Sequence, residues 1–93
     1  MEIPQEAIAK YLTRRLTDIE NCRQALANGN LTVLETVGHQ LKGNGLTFGF
    51  PEIATIGETL EAAAKKNDTT MAASCIESLE KVVSASTAKT ALH

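Results

Sequence analysis

Tryptophan is absent, and aromatic residues number three in 93: Tyr11, Phe48 and Phe50. All-β cores draw on aromatic and β-branched side chains, whereas the Ala, Leu, Ile and Val that supply most apolar positions here suit helix packed on helix. Cysteine is scarce too. Cys22 and Cys75 are too few for a disulfide framework and too far apart for a CxxC half-site, so both are expected as small core hydrophobes in a reduced compartment. Histidine occurs twice, as His39 and as the terminal His93. With two distant cysteines these form no recognisable ligand set, and no metal site is expected. Neither sign of charge dominates, the formal net charge being −2. Arg14-Arg15 and Lys65-Lys66 are isolated basic pairs, expected on solvated helix faces, and neither a nucleic-acid nor a membrane partner is expected. No apolar run approaches the ~18 residues of a membrane span. Met1-Glu2-Ile3-Pro4 lacks the basic and apolar regions of a signal peptide, so a cytoplasmic location is expected. The length leaves space for one domain, residues 1–93, and none for a cofactor lobe beside a substrate lobe.

The apolar residues that are present recur at helical spacing. Ile8, Tyr11 or Leu12, Leu16, Ile19, Cys22 or Arg23, and Leu26 form a first stripe, opened by Pro4 and stopped by Asn28-Gly29-Asn30. Thr13 and Thr17 are mediocre helix residues, so this segment is either one helix or a short N-terminal helix followed by a longer one. A second helix is predicted from Asn30 or Leu31, with Leu34, Val37, Leu41 and Phe48 inward, ending at Gly49-Phe50-Pro51. Pro51 opens a third, with Ile53, Ile56, Leu60 and Ala63 or Ala64 inward and Lys65-Lys66-Asn67 closing it. Asp68 or Thr69 caps a fourth, carrying Ala72, Cys75 or Ile76, Leu79, and Val82 or Val83. Its pattern weakens at Ser84, so residues 84–93 either extend the helix or fray, and His93 is given no role. Four amphipathic helices joined by short connections predict an all-α, antiparallel, up-down-up-down four-helix bundle.

The second helix violates its own propensities, because Gly38, Gly43 and Gly45 lie inside it. At about 1 kcal/mol each relative to Ala, they cost about 3 kcal/mol of helix stability. Such glycines either let a neighbouring helix approach or leave a bare surface for another macromolecule. His39 favours the second alternative, since Lys42 and Gly43 follow at i+3 and i+4 and place imidazole, ammonium and bare backbone on one face. Imidazole titrates near neutral pH and is a nucleophile when uncharged, and Lys42 is a point charge able to attract phosphoryl oxygens. In an antiparallel hairpin turning near Phe50, His39 comes level with Glu61, and Lys42 with Glu58. A carboxylate there would accept the Nδ1 hydrogen, leaving Nε2 as the nucleophile.

The run His39-Gln40-Leu41-Lys42-Gly43-Asn44-Gly45, followed by Phe48-Gly49 and Leu60-Glu61, resembles the signature of histidine-containing phosphotransfer (Hpt) domains: His-x-Leu-Lys-Gly, a small residue two further on, and Gly ten after the His. The resemblance implies His39 as phosphoacceptor, Lys42 as the charge that stabilises the phosphoryl group, and Gly43 as the open spot that admits a partner. Glu61 matches a position that orients the imidazole, and Lys65 falls where some members carry a basic residue. Gly38 departs from the family, where Ala or another small side chain is frequent: the size is respected, but the helix is loosened. Gly38, Gln40, Gly43, Asn44 and the apolar Leu46 are the expected docking surface.

The function so implied is a phosphorelay carrier that exchanges a phosphoryl group with an aspartate of a response-regulator receiver domain, charged through a sensor or hybrid histidine kinase. It would not be an autonomous enzyme. The chain has no Walker loop and no aspartate cluster, so Mg²⁺ is expected in the receiver and no cofactor in this chain. Two alternatives stand beside it: a non-catalytic helical adaptor in which His39 is incidental, and the histidine-bearing module of a larger chemotaxis-type kinase. The start at Met1 and the length favour a free-standing protein over the second.

Overall fold

The computed structural model of the chain describes residues 3–91, so the sequence reading of His93 lies outside the described residues. Pro4, with ψ 143°, is extended and directs the chain into α1, Gln5–Ala27, as its N-terminal flanking residue. α1 runs without a break. Thr13 is on the solvated side and its hydroxyl donates to the Ala9 carbonyl at 3.0 Å, so the hydroxyl is satisfied within the helix rather than interrupting it. Gly29 takes the left-handed φ of 70° that ends the turn, and the Asn30 side chain caps α2, Leu31–Thr47, by accepting from Val33 N at 3.4 Å. Pro51 is the first residue of α3, Pro51–Lys65. Asp68 accepts from Met71 N at 3.0 Å and so caps α4, Thr69–Ala91, with Asn67 at φ 58° turning the chain before it. The segment after Ser84 therefore continues α4 through Ala91, with Ser86 half-buried and its carbonyl accepting the Thr90 hydroxyl at 2.9 Å.

Each 23-residue helix is about 34 Å long at the ordinary rise. The molecule measures 40 × 22 × 15 Å, so the helices lie along its long axis, and the short connections make successive helices antiparallel. They close a four-helix bundle in which α1 packs on α2 and α4, and α3 on α2 and α4. No helix of the described residues is long and apolar enough to cross a membrane. Leu12, Leu34, Leu41, Ile53, Leu60, Ile76, Leu79 and Val83 are fully buried and form the core. Cys22 is buried among them, which pushes its thiol up to about 11 and keeps it protonated and unreactive at neutral pH. At one end all three aromatics meet. The Tyr11 ring stacks on Phe48 at 4.5 Å between centroids and on Phe50 at 5.5 Å.

Two sequence expectations on α1 fail. Leu16, assigned to the inward stripe, is 51% exposed, and Arg15, assigned to a solvated basic pair, is 8% exposed. The helix is turned so that Tyr11, Arg15, Ile19 and Cys22 share the buried face, with the Arg15 guanidinium carbon 4.3 Å from the centre of the Tyr11 ring.

The glycines separate into two classes. A Cβ on Gly38 would stand 2.6 Å from Glu61 N, one on Gly45 2.6 Å from Ala54 N, and one on Gly57 2.6 Å from Gly38 O. These three bring the backbones of α2 and α3 into direct contact. A Cβ on Gly43 would meet nothing within 4 Å. Gly38→Ala or Gly57→Ala should therefore lower unfolding stability in urea by roughly 1–3 kcal/mol, the usual cost of forcing atoms into a packed contact. Gly43→Ala should raise it by about 1 kcal/mol through helix propensity. Equal effects at positions 38, 43 and 57 would contradict this division.

Candidate functional site

α2 and α3 approach so closely that side chains on their shared edge meet without spanning a gap. His39 Nδ1 is 3.1 Å from Glu61 Oε2. An ionised carboxylate only accepts, so the contact requires the hydrogen on Nδ1 and leaves the Nε2 lone pair free. The His39 side chain is 74% exposed while that of Glu61 is 16% exposed, so the ring projects into solvent from a carboxylate held at the helix interface. Lys65, one turn beyond Glu61, places Nζ 3.7 Å from the same oxygen. That ammonium sets an opposite charge beside the partly buried Glu61 carboxylate. Lys42 lies one turn along α2 from His39, with Nζ 3.4 Å from Glu58 Oε2. Both are well exposed, so this ion pair is worth little and yields to a competing anion at small cost.

The structure thus brings His39, Lys42, Glu61 and Lys65 to one edge of the bundle, and the two cross-helix pairs follow the register counted from the Phe50 turn. Gly43, Gln40 and Leu46 lie on the same exposed side of α2, Leu46 being 65% exposed. Gly38 does not join them. It is buried against Glu61 and Gly57, so its bareness serves helix contact and not docking, because the α3 backbone occupies the space a partner would need. Gly45 faces Ala54 in the same way. Asn44 is also diverted inward: half-buried, it accepts the Tyr11 hydroxyl at 2.6 Å, and burial raises the Tyr11 pKa so that its proton stays in place.

Sequence reasoning passed over Gly57 and placed Arg15 on a solvated face. The first carried the signal that drew attention to Gly38, a glycine inside a helix; the second carried none, since arginine at the surface is the ordinary case.

Comparison with known proteins agrees with this geometry. The family model described as Hpt domain matches residues 6–89, nearly the whole chain. The chain belongs to the Hpt domain family. No curated protein and no solved structure matched it in the corresponding comparisons. Hpt domains serve histidine phosphotransfer in phosphorelays, working with kinases and receiver domains as carriers rather than as standalone enzymes. In this Hpt domain, the His39–Glu61 contact predicts a biased tautomer. Glu61→Ala should shift neutral His39 from the Nδ1–H form toward the Nε2–H form, measured by ring ¹⁵N chemical shifts. Unchanged shifts would mean that Glu61 does not hold the ring.

Proposed function

We propose that this Hpt domain carries a phosphoryl group on Nε2 of His39, taking it from, and returning it to, an aspartate of a response-regulator receiver domain. The observation that carries the proposal is the 3.1 Å contact between His39 Nδ1 and the sheltered Glu61 carboxylate, on a ring that is otherwise open to a partner. Phosphoryl transfer depends chiefly on alignment and on neutralising charge, and little on covalent help from further residues. The Nε2 lone pair attacks phosphorus in line with the aspartyl oxygen. The N–P bond forms as the P–O bond breaks, and the electron pair leaves with the aspartate carboxylate. No proton has to leave the ring, which becomes a phosphorylated imidazolium with Nδ1–H directed at Glu61. The carboxylate offsets that new positive charge and keeps its contact with Nδ1–H as the reverse transfer restores the neutral ring.

Lys42 exchanges Glu58 for a phosphoryl oxygen in this scheme. Lys65 pairs with the same Glu61 oxygen that faces His39, and Gly43, next to Lys42, leaves the approach to Nε2 without a side chain in the way. Gln40 and Leu46 supply a polar and an apolar contact to the docked receiver. Mg²⁺ belongs to the receiver's site, and a sensor or hybrid histidine kinase supplies the phosphoryl group at the head of the relay.

Incubated with a phosphorylated receiver domain or with a histidine kinase and ATP, the protein should acquire an acid-labile, base-stable label that His39→Gln abolishes. Lys42→Ala and Gly43→Gln should each slow transfer about tenfold or more while keeping the helical circular-dichroism signal, the magnitude expected for loss of one positioned charge or of access. Label that persists in His39→Gln would overturn the assignment.

A further inference from the structure

A second polar site borders the His39 face on the side of α1, and its proposed role rests on the reading of His39 as phosphoacceptor. A cavity of about 350 Å³ opens between α1 and α2, lined by Lys10, Arg14, Arg15, Tyr11, Asn44 and Phe48. α1 and α2 are antiparallel and meet where Tyr11 bonds Asn44. Residues after Tyr11 therefore lie level with residues before Asn44, which brings Arg14 and Arg15 beside Leu41 and Gln40, the turn that carries His39.

The donors left over in this cavity outnumber its acceptors. Arg15 is nine-tenths buried, and its Nε lies 2.9 Å from Asp18 Oδ2 without forming an aligned hydrogen bond. Asn44 uses its oxygen on Tyr11, which leaves its amide hydrogens to donate. Lys10 and Arg14 are exposed on successive turns of α1, and neither forms an ion pair among the described residues. Among those residues Asp18 is the one carboxylate within ion-pair distance of any of these cations, and burial raises its pKa despite Arg15. A site with three cations, one of them buried over an aromatic ring with its Nε lacking an aligned partner, suits a planar anion. Its walls are the rings of Tyr11 and Phe48, which favour an anion carried on a hydrocarbon stem.

We propose that this cavity is the docking socket for an acidic side chain, Asp or Glu, of the receiver domain that exchanges phosphoryl groups with His39. The charge complementarity sits to one side of the reacting ring, where it sets the orientation of the receiver and the rate of encounter and leaves the chemistry to the His39 cluster. Lys10 and Arg14 form the outer rim that attracts the carboxylate. Arg15 and Asn44 form the floor that receives it.

The test uses the full chain and the receiver that exchanges label with it fastest among the receivers of its own genome. The double variant Lys10→Glu, Arg14→Glu replaces two exposed side chains, and retention of the fold is checked by circular dichroism. The half-saturating receiver concentration should rise about tenfold or more, with the larger effect at low salt, and the wild-type decline of transfer with ionic strength should disappear. A receiver in which one acidic residue of the docking face is changed to lysine should regain part of the loss with the double variant and lose affinity for the wild type. Unchanged half-saturation and an unchanged salt slope would overturn the proposal. So would a response of the Arg15 and Asn44 side-chain NMR signals to millimolar inorganic phosphate with docking insensitive to Lys10 and Arg14, which would assign the cavity to a free anion. Phosphoramidate, which phosphorylates histidine without a protein partner, separates the two readings. Label at His39 from phosphoramidate together with charge-insensitive transfer would sink the socket alone, whereas absence of label at His39 would sink the phosphoacceptor and the socket with it.

Discussion

The backbone contact between α2 and α3 is the constraint on which the rest of the site depends. Gly38, Gly45 and Gly57 remove the Cβ atoms that would hold the two helices apart, and Ala54 completes the contact with the smallest side chain available. Only at that separation does the short reach from the α3 backbone place the Glu61 carboxylate against His39 Nδ1. The same approach shelters Glu61 while leaving the imidazole in solvent, so one face of the ring is fixed and the other is free. Glycine inside a helix lowers its intrinsic stability by about 1 kcal/mol per residue, and the burial of Leu34, Leu41, Ile53 and Leu60 beside the contact offsets it at roughly 1.5–3 kcal/mol for each large apolar side chain.

A carrier has to bind a phosphoryl group well enough to hold it and loosely enough to return it. The arrangement around His39 suits that need because its cations are exposed and already engaged. Lys42 pairs with Glu58 and Lys65 with Glu61, so under the proposed function neither would commit a large, fixed free energy to the phosphorylated state. The proposed preorganisation is confined to the single His39–Glu61 contact. In the proposed relay, division of labour with a partner would explain why so few chemically active groups suffice: alignment and metal chemistry would belong to the complex, and this chain would contribute a nucleophile, its orientation and a surface.

Most of the fold was legible in the sequence because its punctuation is strong. Pro4 and Pro51 open helices, Gly29 and Asn67 turn the chain at positive φ, Asn30 caps α2 and Asp68 caps α4. A hairpin count from the Phe50 turn also brought His39 to Glu61 and Lys42 to Glu58, since antiparallel helices joined by a tight turn have little freedom of register. What escaped was orientation about the helix axis. Glycine has no side chain to reveal its face, so Gly38 suited either a bare surface or a helix contact, and its partner Gly57 identifies the contact only once the two helices are superposed in space. Arg15 and Leu16 are neighbours whose exposure is the reverse of their usual tendency. A rotation that buries the Arg15 stem over Tyr11 leaves Leu16 outside, and no pattern of apolar residues alone distinguishes the two orientations. Asn44 was expected on the docking surface because asparagine is polar; the Tyr11 hydroxyl opposite it drew it inward.

We propose that Glu61 holds His39 so that Nε2, and not Nδ1, receives the phosphoryl group. Phosphorylation of ¹⁵N-histidine-labelled protein by its receiver, followed by ¹⁵N and ³¹P NMR of the ring, reads the site of attachment directly. A phosphorus coupled to Nε2 of His39, with a hydrogen retained on Nδ1, is the predicted result. Attachment at Nδ1 of His39, or at any other residue, would contradict the account.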